Sequence, residues 1–140
     1  MRFEEKFSEL QINMIDICLE YCEHKVDIIY IHIIYEYNSI FTNFFFNING
    51  KMYKKGMIDN DKVSLSRQKE VLSIITKNFK EIINLCQYSN KVIPNEIKLT
   101  YHVNDKKLKI NYNYDNVTND KETAINITEK WYEEMKNNEK

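Results

Sequence analysis

The sequence predicts an α+β fold: a single domain spanning residues 1–140, with a largely antiparallel sheet packed against helices. Some stretches alternate apolar and polar residues, which is the period of a strand, and others repeat apolar residues every three or four positions, which is the period of a helix. The connections within each group of strands are short, which favours antiparallel pairing. The expected order is helix, three strands, helix, two strands, helix.

The first helix carries its apolar residues at helical spacing, from Phe3 to Tyr21. The opposite side is acidic, and a second apolar ridge runs along its edge. These acidic and ridge residues are our candidates for binding a protein partner: Glu5, Glu9, Ile12, Ile15, Asp16, Leu19, Glu20 and Glu23. The alternative is that the ridge packs on another element of the same domain, since a helix that is apolar on two sides is usually buried on both.

Three strands are expected next, at residues 26–37, 40–48 and 51–55. The first is apolar on both faces, which predicts a central strand that is covered on both sides or lies at a subunit contact. Asn49-Gly50 is typical of a type I′ hairpin turn. A polar loop at residues 59–65 leads to the second helix, for which Ser66 is a plausible N-cap.

A hairpin between residues 97 and 114 gives the clearest strand signal. Since successive strand residues point to opposite faces, one face is apolar: Ile97, Leu99, Tyr101, Val103, Leu108, Ile110, Tyr112 and Tyr114. The other is polar: Lys98, Thr100, His102, Lys109, Asn111 and Asn113. We expect a two-layer fold in which helices cover the apolar face and the polar face stays open. Thr118 or Asn119 is expected to cap the third helix, which contains Trp131.

Composition narrows the classes of function. The 20 basic and 21 acidic residues nearly cancel, which argues against direct binding of nucleic acid. No apolar stretch reaches the roughly 20 residues of a membrane span, and the amino terminus lacks a signal-peptide pattern, so we expect a cytoplasmic protein without membrane contact. The three cysteines are expected to be reduced and mostly buried.

Catalytic and cofactor motifs are missing from the sequence. Two glycines cannot build a phosphate-binding loop, and the three histidines lie in different elements. Cys86 with His102 is the one dyad left open, although Cys86 lies on an apolar helical stripe where an inert thiol is the ordinary case. We therefore expect a binding protein that is not an enzyme and uses no cofactor or metal.

The chain resembles the YezG-like antitoxin, or immunity protein, family of Gram-positive bacteria. The resemblance covers almost the whole chain and rests on these residues: Asn49-Gly50-Lys51, Ser66-Arg67-Gln68, Val71-Leu72, Pro94, Glu96-Ile97-Lys98-Leu99, Tyr101, Leu108, Ile110-Asn111-Tyr112, Tyr114 and Trp131-Tyr132-Glu133-Glu134. It implies a cytoplasmic bacterial protein that neutralises the C-terminal domain, often a nuclease, of a secreted polymorphic toxin.

The acidic first helix agrees with this implied function, because a nuclease site that binds phosphates is usually basic. Two alternatives stay open. One is a ligand-binding or enzymatic protein that uses the polar face of the hairpin, with His102 and Cys86 as its reactive groups. The other is a homo-oligomeric adaptor, for example a homodimer that pairs through the aromatic strand at residues 40–48 and has no toxin partner.

Overall fold

The computed structural model describes residues 2–58 and 64–138 and confirms the predicted α+β fold and element order. These residues form three α-helices and five strands: α1 (Phe3–Tyr21), β1 (Ile28–Glu36), β2 (Ser39–Ile48), β3 (Lys51–Lys54), α2 (Leu65–Tyr88), β4 (Glu96–His102), β5 (Lys107–Asn113) and α3 (Ala124–Asn137). A short 3-10 turn, Lys55–Met57, follows β3. Residues 59–63 of the predicted polar loop lie outside the described residues.

The five strands form one antiparallel sheet in the order β3-β2-β1-β4-β5. β1 lies at the centre, where Ile31 is opposite Phe44 of β2 on one side and Leu99 of β4 on the other. The turn at Asn49-Gly50 has φ values of 53° and 85°, the positive values that a type I′ turn requires. β3 and β5 are the two edge strands.

The main core lies between the sheet and the pair α1 and α2. Ile29, Ile31 and Ile33 point from β1 into this core, where they meet buried side chains of α2 such as Phe79 and Ile82. The two helices run antiparallel and are joined at their surface by two polar contacts. Asn13 donates to Asn78 (3.4 Å), and Arg67 pairs with Glu20 (2.8 Å).

α3 covers the opposite face of the sheet. Tyr30 alternates with Ile29 and Ile31 along β1, so its side chain points away from the main core. There it packs with Phe45 and with Trp131 and Tyr132 of α3 as a second, aromatic core. The expected two-layer arrangement is therefore wrong, whereas the prediction that β1 is covered on both sides is confirmed.

Two helices begin at residues other than those predicted. Ser64, not Ser66, caps α2, since its hydroxyl accepts a hydrogen bond from the Arg67 amide (3.0 Å). Thr123, not Thr118 or Asn119, caps α3. Thr118 and Asn119 instead form the loop before this helix: the Thr118 hydroxyl and amide bind the carboxylate of Glu36, and Asn119 accepts from two amides that follow it in the chain.

The hairpin of β4 and β5 is only partly covered on its apolar face. Leu108, Tyr112 and Tyr114 are 39%, 40% and 53% exposed, so the expectation that helices cover all eight apolar residues is wrong for these three. α1 reaches β5 near Tyr112, whose hydroxyl accepts a hydrogen bond from Gln11 (2.7 Å). The predicted openness of the polar face holds for His102, Lys109 and Asn111, which are exposed. It does not hold for the half-buried Lys98, Thr100 and Asn113, since α3 brings Trp131 over Lys98.

Within residues 2–58 and 64–138, no helix combines the length and the apolarity that crossing a membrane requires.

Candidate functional site

The solvent-exposed side of α1 is the candidate binding surface. At 100° per residue, Glu5, Glu9, Asp16 and Glu20 fall within about 60° of one another, and Ile12 lies at the edge of this arc. All four carboxylates are exposed, and Ile12 is 49% exposed. We call these five residues the acidic face. It presents negative charge beside one apolar side chain, which is a composition that suits a basic protein partner.

Three of the four carboxylates of the acidic face already have a positive neighbour. Glu5 pairs with Arg2 (3.2 Å) and Glu9 with Lys6 (3.4 Å), each within α1. Glu20 reaches across to α2 and pairs with Arg67 (2.8 Å). Such surface ion pairs contribute only about 0–1 kcal/mol, so a partner that offers better geometry exchanges them at low cost.

The remaining three candidates of the first helix do not belong to this exposed surface. Ile15 is buried in the main core, and Leu19 is half-buried against it. Glu23 lies beyond the end of α1 with a positive φ of 55°, is half-buried and pairs with Lys25 (3.6 Å). The proposed ridge of Ile12, Ile15 and Leu19 is therefore wrong for Ile15, because α1 turns that side chain toward the domain itself.

Five polar side chains are hydrogen-bonded in a row beneath α3, and we call this row the polar chain. Lys55 donates to Asn43 (2.8 Å), and the Asn43 amide donates to the Thr128 hydroxyl (3.2 Å). The Thr128 oxygen lies 3.0 Å from His32 Nδ1, and Glu96 Oε2 lies 2.7 Å from His32 Nε2. A neutral imidazole that is protonated on Nε2 satisfies every member, since it accepts from Thr128 and donates to Glu96.

The charge state of this polar chain follows from its burial. Burial lowers the pKa of His32 below its ordinary value, although the hydrogen bond and charge of Glu96 act in the opposite direction. Burial also acts to raise the pKa of Glu96, but the hydrogen bond from His32, together with the positive charge of Lys98, outweighs it and lowers that pKa. At neutral pH the pair is therefore a neutral imidazole beside an ionised carboxylate.

The polar chain holds α3 to the sheet. Its hydroxyl, imidazole and carboxylate resemble the components of a hydrolytic triad, but Thr128 is only 2% exposed and its oxygen is already bound to Asn43. The ring of Trp131 on α3 packs edge-on against the ring of His32, with 4.9 Å between the ring centroids, and covers the site from the side of α3. A substrate does not reach this hydroxyl, so the hydrogen bonds serve to position the helix.

Sequence reasoning missed four members of the polar chain: Asn43, Lys55, Glu96 and Thr128. A signal was present for two of them. Glu96 has the same parity along β4 as Lys98, which pairs with His32, so alternation places Glu96 on the face of the sheet that carries the histidine. Thr128 is a polar residue within the apolar stripe of α3, where a buried hydroxyl needs a partner.

The Cys86–His102 dyad is not formed. Cys86 is buried in the main core under α1 and α2, and burial raises the pKa of its thiol. His102 is exposed at the far end of β4 and points to the other face of the sheet. The sheet lies between the two side chains, so this pair has no catalytic geometry.

The cysteines do not form a metal centre either. All three are free and buried, as predicted. In the described parts of the chain, no cluster of three or more His, Cys, Asp or Glu side chains has an arrangement that would hold a metal ion.

A groove of about 400 Å³ opens between the start of α1 and the end of β5. Apolar side chains line much of it, among them Phe3, Phe7, Val92, Tyr112 and Tyr114. Its polar lining includes the exposed Glu4, Ser8 and Lys91 and the buried Gln11, which is bonded to the Tyr112 hydroxyl. This groove adjoins the outer edge of the sheet.

A scan against protein-family models gives no match for this chain, and a search of curated proteins gives none either.

Proposed function

We propose that this chain is a cytoplasmic bacterial immunity protein that binds and neutralises the toxic C-terminal domain, in our proposal a nuclease, of a secreted polymorphic toxin. The observation that carries the proposal is the acidic face of α1, which presents four exposed carboxylates beside a half-exposed isoleucine. Such a protein inhibits by binding, so the proposal requires no catalytic group, cofactor or metal.

Electrostatics explains why an acidic face suits this role. A nuclease binds phosphates through Lys and Arg, so its site carries positive charge. An oppositely charged surface speeds the encounter and aligns the two proteins before contact. The arc on α1 runs from Glu5 to Glu20 and spans about four helical turns, long enough to lie across such a site and exclude nucleic acid from it.

Ile12 supplies the apolar part of the contact. Binding hot spots are side chains that become fully desolvated near the centre of an interface, surrounded by a polar rim. Ile12 lies at the edge of the carboxylates, with Glu5, Glu9 and Asp16 within one or two turns of it on one side and half-buried Leu19 on the other. We expect Ile12 to be the anchor of the complex and the carboxylates to provide its rim.

The first experiment is affinity capture of the tagged protein from its own host, followed by a protection assay. We expect one large protein with a nuclease-like C-terminal domain to co-purify. That domain is then expressed in test cells with and without this chain, and we expect growth only when the chain is present. A chain that is captured alone and protects against no such domain contradicts the proposal.

Charge reversal tests the surface itself. Replacing Glu9, Asp16 and Glu20 by Lys should slow association with the captured toxin domain by at least about tenfold at low salt and weaken its salt dependence, since steering typically changes on-rates by 10–1,000-fold. The matched control makes the same charge change elsewhere, on exposed positions of α2 and α3: Glu81→Lys, Glu133→Lys and Glu134→Lys. If the two triple variants associate with the toxin domain at the same rate, α1 is not part of the interface.

The rival in which the chain acts only as a homo-oligomeric adaptor that pairs through residues 40–48 stays open. β3 pairs with only the second half of β2, from Phe45 to Ile48, whereas residues 39–44 have no described strand on that side. Phe44, Phe45 and Phe46 are buried, so such a self-contact would use the backbone edge of residues 39–44 rather than these rings.

A further inference from the structure

The outer edge of β5 has unpaired backbone groups. The backbone amide of Tyr35 in β1 donates to the carbonyl of Asn95, the residue just before β4 (2.7 Å). Because the backbone groups of successive strand residues point in opposite directions, the odd-numbered residues of β4 point theirs toward β1 and the even-numbered residues point theirs toward β5. The even-numbered residues of β4 pair with odd-numbered residues of β5. Leu108, Ile110 and Tyr112 therefore point their N–H and C=O groups outward, where no described strand follows.

This edge lacks most of the features that usually protect an edge strand. β5 is seven residues long and contains no proline, and the side chains of Leu108 and Tyr112 are exposed beside the free backbone groups. On the opposite side of the sheet, β3 has only four residues, begins and ends with a lysine, and leaves residues 39–44 of β2 without a partner strand. β5 carries two lysines as well, Lys107 and Lys109, but both lie in its first half. A long edge with exposed apolar side chains is a template for another strand.

The sequence of β5 is complementary to itself when reversed. Its first half carries Lys107 and Lys109, and its second half carries Asn111 and Asn113 on the same face. Antiparallel pairing of two copies about Ile110 brings Lys109 opposite Asn111 and Lys107 opposite Asn113, so each lysine meets an amide. On the other face, Leu108 meets Tyr112, which is a favourable aliphatic–aromatic pair.

We propose that β5 pairs antiparallel with β5 of a second copy of this chain, across a twofold axis at Ile110, and that the two sheets join into one sheet of ten strands. The groove between α1 and β5 supports this partner. Leu108 of the second copy lies opposite Tyr112, on the face of the sheet where Phe7 and Tyr112 line the groove. This contact is separate from the acidic face and holds whether or not the chain binds a toxin.

The lysines disfavour two other pairings of this edge. Antiparallel pairing centred one residue earlier places Lys109 opposite Lys109 of the second copy. Parallel pairing in register places Lys107 and Lys109 opposite the same two lysines of the second copy. Like charges directly opposite in a sheet are destabilising. The arrangement about Ile110 avoids both contacts and also uses all three outward-facing residues.

The test is the mass in solution, measured by light scattering and by sedimentation over a range of concentrations. We expect a concentration-dependent dimer of twice the 17.0 kDa chain mass. Leu108→Pro removes an outward-facing N–H without removing a bond to β4, and it should return the mass to that of one chain. The matched control is Leu65→Pro, because Leu65 is exposed and is the first residue of α2, a position that tolerates proline.

Amide exchange supplies a second readout on the unaltered protein. The amides of Leu108, Ile110 and Tyr112 should be protected at high concentration and exchange fast on dilution, whereas those of Lys109 and Asn111 stay protected by β4. A protein that is monomeric at every concentration overturns the proposal. A dimer whose three edge amides exchange freely also overturns it, as does protection of those amides only when a different protein is added.

Discussion

Replacing Thr128 by valine is the sharpest test of the polar chain beneath α3. Valine keeps the branched shape of threonine but has no hydroxyl. The substitution removes the donor to His32 Nδ1 (3.0 Å) and the acceptor of the Asn43 amide (3.2 Å). Because the aromatic contacts of α3 are left in place, any change reports the hydrogen bonds.

The expected loss follows from burial. A buried group left without a partner costs about 1–3 kcal/mol of stability. The His32 ring is fully buried and has no access to water, whereas Asn43 is half-buried and recovers part of its hydration. We expect Thr128→Val to lower the free energy of unfolding by about 2 kcal/mol. With a urea dependence of about 1–3 kcal/mol per molar for a small domain, the midpoint should fall by roughly 1 M.

The assay is urea unfolding at neutral pH, followed by circular dichroism. Thr76→Val is the matched control, since Thr76 is a half-buried threonine on α2 whose hydroxyl donates to the Leu72 carbonyl within the same helix (2.8 Å) and lies 3.2 Å from the Thr42 hydroxyl of β2. The carbonyl keeps its place in the helix and Thr42 is only half-buried, so we expect a loss of about 1 kcal/mol or less. If both variants lose the same small amount, the polar chain does not hold α3 and the reasoning fails.

Two further predictions concern pH and capping. The pKa of His32 is lowered on folding from its ordinary 6.5, so the unfolded chain binds more protons near that pH. The contribution of His32 to the free energy of unfolding is therefore fully present above about pH 6.5 and declines as the pH falls below it. The pKa of Glu96 is lowered from 4.5, which extends the decline to more acidic pH. Urea midpoints measured between about pH 7 and pH 5 should fall less in His32→Gln than in the unaltered protein, and equal slopes would exclude His32 as the source. Ser64→Ala should cost about 1 kcal/mol because Ser64 caps α2, whereas Ser66→Ala should stay within about 0.5 kcal/mol; thermal unfolding of both variants distinguishes the observed cap from the predicted one.

The elements were predictable because their signals are local. The alternation through Ile97 and Leu99 and the helical repeat through Phe3 and Phe7 each lie within one stretch of chain, and both elements form where the pattern places them. Helix starts were less predictable, because several capping residues stood close together. The hydroxyl of Ser64 meets the third amide of α2, whereas Ser66 is already inside the helix.

The placement of α3 and the members of the polar chain could not be predicted in the same way. Thr128 and His32 are 96 positions apart, and Glu96 is 64 positions from His32. No local period links such residues. Only the choice of sheet face for α3 brings them together, and that choice depends on how the aromatic side chains of β1 and β2 pack with Trp131.

The acidic face was predictable in charge but not in shape. A helical projection correctly placed Glu5, Glu9, Asp16 and Glu20 on the outside. It could not show that Ile15 is buried in the main core, because the width of the buried stripe depends on what packs against it. The exposure of Leu108 at the edge has the same origin, since the reach of α1 across the sheet is a tertiary property.

The second core gives this domain a specific weak point. It rests on one helix of 14 residues that follows every strand in chain order, while the larger core is built without it. Detachment of α3 would uncover Tyr30 and Phe45 on a sheet that is otherwise intact, which makes it the natural route for partial unfolding. A sheet opened in this way displays aromatic surface to other chains, and aggregation of this protein should begin there rather than by global unfolding.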